Sequence, residues 1–180
     1  MNKVFVGGSR RITRLNKDLR ERLDALIKDQ AAVLVGDANG ADKAVQMYFH
    51  EQRYPHVLVF CTAGNCRNNL GRWPIKAVTS PHRTRDFEYF TAKDAAMAGE
   101  ADFALMLWDG QSSGTLVNVA RMVSASKRVV LYLAPEREFV TLQSREDLEK
   151  LLASCSAEVR DRVGAYIAQH APEYVQPSIF

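Results

Sequence analysis

The sequence has few cysteines and no long apolar run, and each scarcity excludes a class of protein. Three cysteines among 180 residues are too few for a disulfide-dense secreted fold. Cys61 and Cys66 lie close together, but no second Cys or His pair with ligand spacing accompanies them, which argues against zinc. No apolar run approaches the roughly 20 residues that span a bilayer, and no secretory segment precedes the first apolar stretch. We therefore expect a cytoplasmic protein with no membrane segment, no metal and no cofactor.

The chain also lacks a large excess of positive or negative charge, and this restricts the partners that we predict. The chain has 24 Lys and Arg against 21 Asp and Glu, a net charge of +3. Its basic residues are scattered, apart from Arg10, Arg11 and Arg14 and the pair Arg83 and Arg85. No aromatic residues are interleaved with them, as base stacking on a single strand would require. We therefore expect a small anion as the ligand and rank nucleic acid last among the partners.

Apolar stretches alternate with helical patterns along most of the chain, and 47% hydrophobic residues suffice for the core of one domain. The apolar stretches typical of strands are 3–6, 31–35, 57–61, 103–108 and 128–133. Helical periodicity occupies 16–29, 41–53, 86–99 and 115–126, with Asn16 as the cap of the first helix. We predict one domain over residues 1–180, built as a three-layer, doubly wound, mostly parallel Rossmann-like α/β sheet of about five strands.

Residues 135–180 follow a different pattern and form a predicted C-terminal helical extension of the 1–134 core. A short extended segment at 139–142 precedes two helices, at 144–153 and 156–170. Ser144 is the predicted cap of the first of these helices, with Asp147 in the capping-box position. The tail after residue 170 contains two prolines and is expected to be coil.

Glycines and short polar residues follow three of the predicted strands. Because parallel strands end at one edge of a sheet, these loops should converge on one ligand. Glycines let backbone N–H groups approach an anion, and the helix beginning near Thr115 adds its positive end. The predicted ligand-binding residues are Gly7, Gly8, Ser9, Arg10, Gly36, Asp37, Asn39, Gly40, Asp42, Asp109, Gly110, Ser112, Ser113, Gly114 and Thr115.

Several side chains near these loops allow two interpretations. Asp42 either serves the ligand or only complements the positive end of its own helix. Lys93 is either a partner for a phosphate or carboxylate or a solvated lysine. The long stretch 62–85 either covers the ligand, with Trp73 stacked on a base, or is a loop that Trp73 packs down.

The three loops together resemble the SLOG superfamily of Rossmann-like proteins. The resemblance rests on Gly7-Gly8-Ser9-Arg10, on the run from Gly36 to Asp42, and on Asp109-Gly110 with Ser113-Gly114-Thr115. Relatives of this superfamily include the YpsA-like proteins, the DprA core and the lysine-decarboxylase-like phosphoribohydrolases. The resemblance implies nucleotide or nucleotide-derived ligands at the C-terminal ends of the strands, and a homodimer.

The phosphoribohydrolase branch has a catalytic glutamate and an arginine that this chain replaces. Asn118 stands in the place of the glutamate, and Lys93 in that of the arginine. The candidate catalytic residues are therefore Asp37, which could hold a ribose or activate water, with Lys93 and Asn118. An amide cannot act as a carboxylate base, so cleavage at the N-glycosidic bond is uncertain here.

Three functions remain open from the sequence. The first is a nucleotide or sugar-phosphate enzyme acting at the glycosidic carbon. The second is a non-catalytic module that senses a nucleotide-derived signal and acts through a protein partner. The third, ranked last, is binding of single-stranded nucleic acid.

Overall fold

The computed structural model describes residues 1–80 and 87–175, in which helices and strands alternate as the sequence predicts. The strands are β1 (Lys3–Gly8), β2 (Ala32–Gly36), β3 (Val57–Thr62), β4 (Ile75–Val78), β5 (Phe103–Trp108), β6 (Val129–Leu133) and β7 (Glu138–Leu142). The helices are α1 (Lys17–Lys28), α2 (Ala41–Glu51), α3 (Phe87–Glu100), α4 (Ser113–Ser124), α5 (Arg145–Ser154), α6 (Ala157–His170) and α7 (Pro172–Val175).

The strands form one sheet in the order β4-β3-β2-β1-β5-β6-β7, in which only β7 is antiparallel to its neighbour. The strand order reverses beside β1, since β2 lies on one side of it and β5 on the other. Val6 is level with Val35 on β2 and with Leu105 on β5. This arrangement confirms the predicted Rossmann-like fold and opens a crevice at the C-terminal ends of β1, β2 and β5.

Helices cover both faces of the sheet because the side chains of each strand alternate between them. Val4 and Val6 pack with Leu19 of α1 and Val45 of α2 on one face. Phe5 belongs to the other core, which is completed by residues of α3, α4, α5 and α6: Met97, Leu116, Leu148 and Val163. The C-terminal extension thus shares a core with the sheet.

Side-chain caps set the start of several helices where the sequence predicts them. Asn16 accepts a hydrogen bond from the Leu19 amide at 3.0 Å at the start of α1. At α5, Ser144 and Asp147 form a complete capping box, so the shorter Asp replaces the more usual Glu without loss of the motif.

The region 62–85 differs most from its prediction as irregular structure. It contains β4, and with β7 this raises the sheet from about five strands to seven. Trp73 is 8% exposed and its indole N–H donates to the Tyr54 carbonyl at 2.9 Å, so it packs the loop down rather than facing a ligand. A short α7 lies in the tail predicted as coil. Residues 81–86, with Arg83 and Arg85, lie outside the described residues.

Two further features concern the cysteines and the membrane. Cys61, at the end of β3, and Cys66 are joined by a disulfide with a Cα–Cα distance of 5.1 Å, a pairing that the sequence did not lead us to predict. Among the described residues, no helix combines the length and apolar character needed to span a bilayer.

Candidate functional site

A cavity of about 500 Å³ lies at the C-terminal ends of β1 and β5, where the strand order reverses. Its size falls within the roughly 300–1,000 Å³ range of ligand pockets. It is lined by Phe5, Gly7, Gly8, Ser9, Arg10, Arg11, Ala38, Asp42, Arg67, Thr91, Lys93, Asp94, Asp109, Gln111, Ser112, Ser113, Gly114, Thr115, Asn118, Arg162 and Tyr166.

Close backbone approach explains two of the glycines that the sequence singled out. A Cβ at Gly8 would collide with the Leu107 carbonyl, because β1 lies tightly against the end of β5. A Cβ at Gly40, whose φ is +83°, would collide with the backbone of Arg10. The Ser9 carbonyl accepts from the Ala41 amide at 3.1 Å, so the first loop is tied to the start of α2.

The loop after β5 is organised by Asp109 and Ser112. The Asp109 carboxylate accepts from the amides of Gln111 at 3.0 Å and Ser112 at 2.7 Å. Burial acts to raise the pKa of Asp109, but the hydrogen bonds from Ser9 and these amides outweigh it and hold the pKa below its usual value. Ser112 caps α4 by accepting from the Thr115 amide at 3.3 Å. At the start of α4, the amides of Ser113 and Gly114 have no intrahelical acceptor.

A buried lysine and three carboxylates form an ionic cluster beside the cavity. The ammonium of Lys93, which is 3% exposed, lies 2.6 Å from Asp94, 3.8 Å from Asp42 and 4.0 Å from Asp37. A Cβ at Gly36 would run into the Asp42 carboxylate and the Lys93 ammonium, so this glycine makes room for the cluster. Lys93 is therefore a partner of carboxylates rather than a solvated lysine.

The pKa values of Asp42 and Asp37 shift in opposite directions, although the charge of Lys93 acts to lower both. Burial raises the pKa of Asp42 to about 6, although the charge of Lys93 opposes the shift. Burial also acts to raise the pKa of Asp37, but the hydrogen bonds from Arg67 and the charge of Lys93 hold it below its ordinary value. Burial acts to lower the pKa of Lys93, and the charges of Asp94, Asp42 and Asp37 reverse the effect and raise it.

Asp37 holds the loop after β3 rather than facing the cavity. Its carboxylate accepts from the Arg67 amide at 3.0 Å and from the guanidinium at 3.2 and 2.8 Å. Asn68 extends this attachment, donating to the Asp37 carbonyl at 2.8 Å and to the Asn39 side chain at 3.1 Å. The predicted roles of Asp37 toward a ribose or a water stay predictions, but its carboxylate is already committed to Arg67.

Twelve of the predicted site residues line the cavity: Gly7, Gly8, Ser9, Arg10, Asp42, Lys93, Asp109, Ser112, Ser113, Gly114, Thr115 and Asn118. Five do not: Gly36, Asp37, Asn39, Gly40 and Gly110. Gly110 has a φ of +80° and adjoins Pro135 instead. Asn118 donates to Asp94 at 3.2 Å and accepts from Arg121 at 2.9 Å, so it acts as a link within the polar network.

Sequence reasoning missed the residues that α6 contributes to the cavity. Arg162 reaches the loop between β5 and α4 and donates to the Gln111 carbonyl at 3.0 Å and to its side-chain oxygen at 2.9 Å. Tyr166 lies one helical turn further along the same side. The spacing of these two residues was visible, but nothing in the sequence indicates that α6 returns to the strand ends.

Replacing Asp42 with Asn should remove the part of the pH dependence of the unfolding free energy that comes from the Asp42 carboxyl group. Asp42 has a pKa of about 6 in the folded state against 3.8 for the free side chain, so the folded state binds the extra proton between these values. Its contribution to the unfolding free energy is thus greatest below about pH 4 and decreases by about 3 kcal/mol as the pH rises past 6. Urea unfolding across this range should show that decrease in the wild type relative to Asp42→Asn, and parallel curves would contradict the assignment.

No family model and no curated protein matches this sequence. A search of solved structures finds the same fold in DNA processing protein A from Helicobacter pylori, with a TM-score of 0.56 and 17% sequence identity. The alignment covers 94% of this chain and 81% of that one. That structure was described for its unique mode of single-stranded DNA binding. At this identity the likeness shows a shared Rossmann-like fold.

This finding overturns the ranking of ligands that the sequence suggested. A nucleotide-sized ligand was placed first and nucleic acid last, and that order is wrong given a neighbour in fold that binds single-stranded DNA. The net charge of +3 averages over the whole chain and did not reveal that Arg10, Arg11 and Arg162 line one cavity. The sequence argument on aromatics did not foresee that Tyr166 lines this cavity from a distant helix.

Proposed function

We propose that this protein binds single-stranded DNA across the cavity at the C-terminal ends of β1 and β5. The observation that carries the proposal is the meeting of Arg10, Arg11 and Arg162, from two distant segments, at one cavity of a fold shared with a single-stranded DNA-binding protein. Exposed arginines along a groove that follows the backbone are how proteins bind single strands without reading sequence.

The rim of the cavity suits phosphates better than its interior. Arg10, Arg11 and Arg162 are exposed and can reach a flexible strand, while the start of α4 offers the amides of Ser113 and Gly114. Inside, the charge of Lys93 is already matched by three carboxylates and is not available to a phosphate. We therefore place the sugar–phosphate backbone along the rim.

Membership of the SLOG superfamily is part of the same proposal. The three glycine-containing loops that carry the resemblance surround the crevice beside β1, and the DprA core is one of the relatives that the resemblance names. We also propose that residues 1–180 form one domain, because α5 and α6 share a buried core with β5 and β6. The homodimer stays a prediction that a single chain does not test.

The arginines of the first loop provide the test of this function. Fluorescence anisotropy with a labelled single-stranded oligonucleotide should show binding that weakens as salt increases. Arg10→Ala and Arg11→Ala should each weaken binding and reduce the slope of log affinity against log salt by about 0.7, the value for one lost phosphate contact on a single strand.

Arg53→Ala is the matched control, because Arg53 is exposed and follows α2 at the sheet edge opposite the cavity. It should leave both affinity and slope unchanged. A wild-type protein that binds neither the oligonucleotide nor an RNA of the same sequence would contradict the function, and preference for the RNA would contradict the choice of DNA. Equal slopes of log affinity against log salt for Arg10→Ala, Arg11→Ala and Arg53→Ala would contradict the placement of the strand at this cavity.

A further inference from the structure

We propose that Tyr166 of α6 is the surface on which a base of the bound strand stacks, and that Arg162 holds the neighbouring phosphate. This inference rests on the proposed function and assigns the C-terminal extension a direct part in the site. It differs from the sequence-based hypothesis of a non-catalytic module that acts through a protein partner.

Of the aromatic residues that line the cavity, Tyr166 is the candidate for stacking on a base. Among the described residues, Phe5 and Tyr166 are the aromatic side chains that line it. Phe5 is 1% exposed and offers no face to a ligand, whereas Tyr166 is only half-buried. Trp73, the stacking candidate from the sequence, is buried against Tyr54 and does not line the cavity.

The helix that carries Tyr166 is fixed in place by the core beneath it. Val159, Val163 and Ile167 are buried on one stripe of α6, and Ser156 caps the helix by accepting from the Val159 amide at 3.3 Å. The ring of Tyr166 meets that of His170 edge-on, with centroids 4.6 Å apart. A ring held in this way loses little conformational freedom when a base stacks on it.

Arg162 connects helix α6 to the loop that precedes α4. Its two hydrogen bonds to Gln111 hold the guanidinium at the rim, one turn before Tyr166 on the same side of α6. The side chain is 44% exposed and lies 3.8 Å from the Glu158 carboxylate. A phosphate at the rim and a base over Tyr166 are consistent with adjacent groups of one nucleotide unit, which is the arrangement that stacking proteins use.

Two oligonucleotides separate stacking from backbone contact: a normal strand and a strand of the same length with abasic sites throughout. Tyr166→Leu keeps an apolar side chain but removes the ring face, so it should weaken binding of the normal strand by roughly 5- to 100-fold. It should leave binding of the abasic strand unchanged. Tyr166→Phe keeps the ring and should bind both strands like the wild type.

Arg162→Ala should weaken both strands to the same extent, because a phosphate is present in each. Tyr166→Met, with thermal unfolding measured alongside, replaces Tyr166→Leu if that variant does not fold. The inference is overturned if Tyr166→Leu binds the normal strand as well as the wild type, or if it weakens both strands equally. A wild type that binds neither strand would instead overturn the proposed function.

Discussion

Gly114→Asp should reduce the affinity for single-stranded DNA by roughly 100-fold or more, while the protein remains folded. Gly114 lies in the first turn of α4 and lines the cavity, as does Asp109. A carboxylate there would face the phosphates of the strand, and such juxtaposition of like charges costs several kcal/mol in binding. The fold should tolerate the change, because an acidic residue in the first turn of a helix is favourable.

Gly99→Asp is the matched control for this prediction. Gly99 is an exposed glycine near the C-terminal end of α3, and a Cβ there meets nothing within 4 Å. It lies at the edge of the sheet opposite the cavity, so the same added charge should cost little beyond a small unfavourable interaction with the helix end. Equal affinity in the two variants would show that the strand does not pass over the start of α4.

Lys93→Met should lower the unfolding free energy by about 3–5 kcal/mol at neutral pH, the range for removing one partner of a buried ion pair. Lys93 is surrounded by Asp94, Asp42 and Asp37, and without it these carboxylates lose the cation that they share. Urea unfolding followed by circular dichroism measures the change. Methionine retains much of the length and the apolar stem, so the loss reports the charge rather than a cavity.

The same variant should recover part of its stability under two conditions. Burial already raises the pKa of Asp42, and removing Lys93 removes the charge that opposes this shift, so stability should return as the pH falls and Asp42 binds its proton. Adding Asp42→Asn should also restore part of it at neutral pH, because it removes one of the repelling charges. A Lys93→Met protein that is as stable as the wild type at all pH values would contradict the role of the cluster.

The positions of the strands and of the sheet edge that holds the cavity could be predicted because they depend on local patterns. Continuous aliphatic runs such as 31–35 mark strands that are covered on both faces, and glycines after Val6 and Val35 mark the loops between them. Those two signals, with the parallel order of the strands, were sufficient to predict that Gly8 and Gly114 lie at the same edge of the sheet, where both line one cavity.

The contacts between distant segments could not be predicted in this way. Arg67 binds Asp37 across 30 residues, and Arg162 binds Gln111 across 51. Each contact depends on where a loop or helix returns after leaving the sheet, which no local periodicity records. β4 was missed for a related reason, since its four residues are mostly exposed and lack the apolar run of a central strand.

Photo-crosslinking of the wild-type protein to a single-stranded oligonucleotide that carries 4-thiothymidine tests the central claim most directly. Mass spectrometry of the crosslinked peptides locates the strand on the protein. The account predicts crosslinks in 7–11, in 109–115 and on α6 around Tyr166, the segments that surround the cavity. Crosslinks confined to the opposite edge of the sheet, for example around Arg53 and Arg128, would contradict it.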